Sequence, residues 1–89
     1  MKAVVSVIGK DKPGIIAKIS ACLYEFNANI EDINQTIMQD NFTMIMLIDL
    51  SKAKGGLDIL AESLSKIGHS IGLAVRVQSI EIFQAMHKI

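Results

Sequence analysis

Twice along this chain the spacing of apolar residues changes from that of a strand to that of a helix, and this double switch restricts the fold more than any other feature. Val4, Val5, Val7 and Ile8 form a β-branched run ending at Gly9, the pattern of a buried strand. After Pro13 and Gly14 the spacing becomes helical, and Ile15, Ile16, Ile19, Cys22, Leu23 and Phe26 make one apolar stripe. Proline is accepted in a helix's first turn, where its missing N–H has no helical partner. Asp11 stands where it can cap that turn, and Asn27 is a suitable stop because asparagine tolerates the left-handed backbone. The switch then recurs. "FTMIMLIDL", from Phe42 to Leu50, is nearly all apolar and should lie centrally in a sheet. After the loop "SKAKGG", Leu57, Leu60, Ala61, Leu64 and Ile67 form a second helical stripe, with Gly68 at the expected C-cap. Leu73, Val75 and Val77 next alternate with Ala74, Arg76 and Gln78, as in an edge strand with one wet face.

The stretch "NIEDINQTIMQD" lies between the two halves. Ile33 and Ile37 share a face with Gln35, while Ile30 is out of phase with them. This predicts an edge strand with a bulge near its start, joined to the next strand by a tight turn at Asp40-Asn41. The tail "EIFQAMHKI" returns to helical spacing at Ile82, Phe83, Met86 and Ile89, which predicts a short terminal helix. The element order is strand, helix, strand, strand, helix, strand, the split βαβ, ferredoxin-like α+β arrangement. Right-handed crossovers put the first and third strands in the centre of a four-stranded antiparallel sheet. Both helices cover one face. The other face is bare, and Met44 and Met46, or their neighbours in the alternate register, should occupy it. The 89 residues make one domain, with a core over 1–80 and a C-terminal extension over 81–89.

A domain this small buries only about 60–65% of the surface its unfolded chain exposes, yet 51% of its residues are hydrophobic. The excess argues for self-association; the alternative is a tightly packed core. Nine basic and nine acidic residues cancel, and there are one arginine and four aromatic residues. This is a poor composition for nucleic-acid binding. A single cysteine forms no internal disulfide, which fits a reducing, cytoplasmic setting. No apolar run reaches the roughly 18 residues of a transmembrane helix, and the start lacks the apolar length and cleavage site of a signal peptide.

Catalysis finds little support. His69 and His87 have no serine, cysteine or carboxylate at a catalytic spacing. Glu31 and Asp32 point to opposite faces of a strand, and Cys22 falls in a buried stripe as a small apolar filler. No ligand cluster for a metal or cofactor appears. What remains is the start of the first helix, whose free N–H groups and dipole favour a carboxylate by about 0.3–1 kcal/mol, and up to about 2 when partly buried. Gly14 lets a ligand approach the backbone, Lys10 and Lys12 add positive charge, and Asn29 offers both a donor and an acceptor. With Asp11 to receive an ammonium, the set suits a zwitterion; a plain helix start is the alternative.

Asp11-Lys12-Pro13-Gly14-Ile15, then Ile19, Leu23 and Phe26, then Asn29-Ile30, resemble an ACT domain, the small regulatory module of amino-acid metabolism. The whole chain, with its "AMHKI" ending, is similar to stand-alone ACT proteins of about this length and to the ACT repeats of the glycine cleavage system transcriptional repressor. The resemblance implies side-by-side pairing into an eight-stranded sheet. It also implies an amino-acid ligand between the first loop of one subunit and the second-strand start of the other. The implied site residues are Asp11, Lys12, Pro13, Gly14, Ile15, Asn29 and Ile30. Gly14 and Ile15 match the backbone that meets the ligand, and Asn29 matches a ligand-contacting side chain of the serine-binding members. Asp11 stands where those members carry asparagine. Most ACT domains regulate an attached enzyme; with none in these residues, a non-enzymatic homodimer acting on another protein in trans is expected. The alternative is an interaction module without a small ligand. Neither a cofactor or metal nor a nucleic-acid or membrane partner is expected.

Overall fold

The β-branched run at the start forms a strand through the middle of the sheet, and the rest of the chain is arranged around it. The computed structural model describes residues 1–86. Its elements are β1 (Lys2–Lys10), α1 (Ile15–Glu25), β2 (Asn29–Met38), β3 (Asn41–Asp49), α2 (Leu57–Ser70), β4 (Leu73–Ser79) and α3 (Ile80–Met86). The strands are antiparallel neighbours in the order β2-β3-β1-β4. The two most apolar strands are therefore central, as expected, and the α+β ferredoxin-like arrangement with its terminal helix is present. His87 and Ile89 lie outside the described residues.

One register decides which face of the sheet is dry. Val5 pairs with Met46 and Val7 with Met44, and directly opposed residues share a face. Ala3, Val5, Val7, Met44, Met46 and Ile48 join Ile15, Ile19 and Leu23 of α1 and Leu60 and Leu64 of α2 in a single core. Met44 and Met46 are thus buried beneath the helices at 1% exposure. Their neighbours Thr43, Ile45 and Leu47 take the open face instead.

Four local expectations change. α1 begins at Ile15 with Gly14 as its N-cap, so Pro13 precedes the helix and Asp11 makes no capping bond. Gly14 has φ 85°, which a side chain would strain. The β2–β3 turn lies one residue earlier than predicted. Gln39 and Asp40 both have positive φ, at 50° and 70°, the geometry of a two-residue hairpin turn that matches strand twist. α2 continues past Gly68 to Ser70, and Gly72, with φ 73°, provides the left-handed residue after it. Gly68 is buried inside the helix because α2 crosses β4 there: a Cβ would lie 2.5 Å from Val75 Cγ2 and 2.9 Å from the Leu73 carbonyl oxygen. Ile16 leaves the predicted stripe and is 41% exposed.

The bulge near the start of β2 is present. The pairing skips between Ile30 and Asp32, and the extra residue, Glu31, reaches Lys2 at 2.8 Å. Asn27 stops α1 with φ 60°. At the chain's end α3 turns back onto β1 and β4. Val4, on the open face, is only 3% exposed, whereas Ile8, farther along the same strand, is 54% exposed. No helix among the described residues is long and apolar enough to cross a membrane.

Candidate ligand-binding site

The first loop is held at one end of the sheet. The Asp11 N–H donates to the Asp40 carbonyl at 2.8 Å, fastening the loop to the β2–β3 hairpin. Gly14 then swings the chain into α1. The helix's first bond runs from the Lys18 N–H to the Gly14 carbonyl at 3.0 Å, so the N–H groups of Ile15, Ile16 and Ala17 precede the ladder. No side chain caps them. They sit beside a shallow cleft of about 260 Å³ whose lining includes Asp11, Lys12, Gly14, Ile16, Gln35 and Ile37. The Ile15 side chain is buried at 2% exposure, which leaves only its backbone for a ligand. Lys12 Nζ donates to the Ile71 carbonyl at 2.9 Å, so this cation ties the loop to the end of α2. Pro13 is exposed and shapes the turn.

Asn29 and Ile30 stand at the other end of the sheet. Asn29 pairs with Asp49 on β3 and lines a polar cavity of about 400 Å³ with Tyr24, Asn27, Ser51 and Lys52. Asn27 Nδ2 donates to the Lys52 carbonyl at 2.8 Å, fixing that wall. Ile30 is half-buried against the core. Asp49 accepts the Ser51 N–H at 2.9 Å, and this bond holds its carboxyl below the ordinary carboxylate range. A carboxyl that titrates lower when folded contributes its stability above about pH 4 and loses it as pH falls through the folded value. Asp49→Asn is therefore expected to flatten the acid branch of stability measured by urea unfolding. An unchanged acid branch would remove Asp49 as a contributor.

The two groups lie apart within one chain. Asp11 is fastened at the hairpin that ends β2, whereas Asn29 begins β2, and that strand's ten residues span roughly 30 Å. Sequence reasoning missed Tyr24, Asp49, Ser51 and Lys52, because only the β2–β3 register brings residue 49 beside residue 29. Elsewhere, burial pushes the Cys22 thiol up, as suits a packing residue. His69 is exposed in the last turn of α2. No group of metal-ligating side chains occurs among the described residues.

The model of the ACT domain family matches residues 2–78. The chain belongs to the ACT domain family. Outside that model, it is 51% identical over 88 residues to a UPF0237 protein of Methanopyrus kandleri, covering 99% of this chain and 98% of that protein. Among solved structures, an ACT domain protein from Streptococcus pneumoniae superposes with a TM-score of 0.81 at 36% identity, covering 94% of each chain. A putative glycine cleavage system transcriptional repressor shares the fold, with a TM-score of 0.74 at 24% identity over 86% of this chain and 44% of that one. This ACT protein thus matches relatives of its own length, and α3 lies beyond the segment that the family model describes.

Proposed function

We propose that this ACT protein is a homodimeric amino-acid sensor that acts on another protein in trans. The observation that carries the reading is the separation of the two half-sites at opposite ends of β2. A second copy, related by a two-fold axis and paired antiparallel along the β2 edge, would bring the first loop of one subunit beside the Asn29 cavity of the other. The exposed edge supports this pairing. Ile16, Ile33, Ile37 and Met38 are 41%, 44%, 53% and 67% exposed, a poor surface to leave in water next to unpaired strand groups. In the paired form the free N–H groups of α1 donate to the ligand carboxylate. Asn29 adds a donor and an acceptor, and Asp11 or Asp49 receives the ammonium.

A thermal-shift panel of the twenty common amino acids tests this. A ligand at about 100 times its dissociation constant adds about 2.7 kcal/mol of stability, and Asn29→Ala should abolish the shift. No shift from any of them at millimolar concentration rejects the sensor reading. A partner protein retained by the Asn29→Ala variant, and indifferent to amino acids, would favour an interaction module instead.

A further inference from the structure

The open sheet face, opposite the one that the core and helices cover, carries a second concavity. α3 stands over one end of it and leaves a groove of about 430 Å³ against the strands. Cross-strand pairing builds the floor. Arg76 lies opposite Ser6, and Ser6 opposite Ile45; Ala74 lies opposite Ile8, and Ile8 opposite Thr43. Phe83 and Met86 of α3 form the wall. Gln78 Nε2 donates to the Met86 sulfur at 2.9 Å, pinning the end of that helix.

The chemistry of this lining is one-sided. Ile8, Ile45, Ala74, Phe83 and Met86 make it mainly apolar, as small-molecule sites are. Among the described residues that line it, Arg76 is the single charge and none is acidic. Among the described residues the Arg76 guanidinium has no ion-pair or hydrogen-bond partner. A guanidinium offers a planar fork of donors that matches a carboxylate, and the Ser6 and Thr43 hydroxyls are on hand for its remaining lone pairs. An ammonium entering the groove would lose water without gaining an anion. The space holds roughly a dozen heavy atoms, taking the ~30 Å³ that each water occupies in the liquid.

We propose that this groove binds a small monocarboxylate with an apolar body and no ammonium group. It is a second site, distinct in place and in ligand chemistry from the one that would hold an amino acid. Its wall comes from α3, outside the residues 2–78 matched by the ACT family model, so the groove is an addition to the domain.

The test is a titration of the full ¹⁵N-labelled chain with hexanoate, followed by amide chemical shifts. Leucine serves as the matched carboxylate that carries an ammonium. Saturable shifts are expected at Ser6, Ile45, Arg76 and Phe83, with the amides of 11–17 unmoved. Arg76→Gln should weaken hexanoate binding about tenfold or more, the loss expected of a charge-assisted bond. Arg76→Lys should retain part of the affinity and serves equally if the glutamine variant folds poorly. Any of four results overturns the proposal: no saturation at millimolar hexanoate, shifts confined to the first loop, leucine binding in the groove as tightly as hexanoate, or equal affinity in both arginine variants and the parent chain.

Discussion

Gly68→Val is expected to lower the stability of this ACT protein by about 3 kcal/mol, the upper range for forcing extra carbons into a packed interior. A domain of this size has about 5–10 kcal/mol in all, so urea unfolding should show a large fall in midpoint. The cause is local: α2 crosses β4 at this residue, and an added Cβ would lie 2.5 Å from Val75 Cγ2 and 2.9 Å from the Leu73 carbonyl oxygen. A backbone oxygen cannot rotate aside as a side chain can. Gly72→Ala makes a useful contrast. Its positive φ of 73° makes a side chain cost roughly 1–2 kcal/mol, but the nearest atom is the movable Lys12 Nζ, 3.1 Å away. Gly56 meets nothing within 4 Å, and alanine there should be tolerated. A Gly68→Val midpoint equal to that of the parent chain would mean that α2 rides farther from β4.

The double change Ile33→Lys with Ile37→Lys is expected to convert the proposed dimer to monomer. Both residues lie on β2 facing the helix side, opposite Met46 and Phe42, and both are about half exposed in the single chain. A two-fold interface counts each position twice. Burying an isoleucine contributes about 1.5–3 kcal/mol, so the loss should raise the dimer dissociation constant a hundredfold or more. Light scattering at micromolar concentration reads the outcome directly. If the parent chain is already monomeric, the composite amino-acid site fails with the dimer. If the double variant remains dimeric, the contact lies on another surface. The folded core is a built-in control, since neither side chain belongs to it.

Much of the fold was legible because it rests on periodicity. The change of spacing after Pro13-Gly14 revealed α1, although Pro13 precedes the helix instead of opening it, and the out-of-phase Ile30 announced the bulge at Glu31. The register of β3 was not legible. Met44, Ile45, Met46 and Leu47 are all apolar, so alternation cannot say which of them meet the helices; pairing with Val5 and Val7 decides it. Gly68 misled for a related reason. Glycine serves both where a helix ends and where a helix passes close to a strand, and only the three-dimensional crossing separates the two uses. Ile16 fits helical spacing, yet α1 turns it toward the uncovered side of β2. The candidate site divides in the same way. Asp11 to Ile15 could be read from a local motif, whereas Tyr24, Asp49, Ser51 and Lys52 meet Asn29 only through strand pairing and a loop. The separation of the half-sites is likewise a property of topology, because β1 and β2 both run their full length between them.

The placement of α3 also acts as a steric bumper. A helix is about 10 Å across, so α3 raises a ridge over part of the open sheet face. A second sheet approaching face-on would strike that ridge before its strands could meet Ile8 or Ile45. A dimer of the proposed kind, growing laterally along the β2 edge, would avoid that ridge, whereas a stacked sandwich would meet it. In the proposed dimer, seven residues at the end of a strand would thus bias the geometry in which two copies meet.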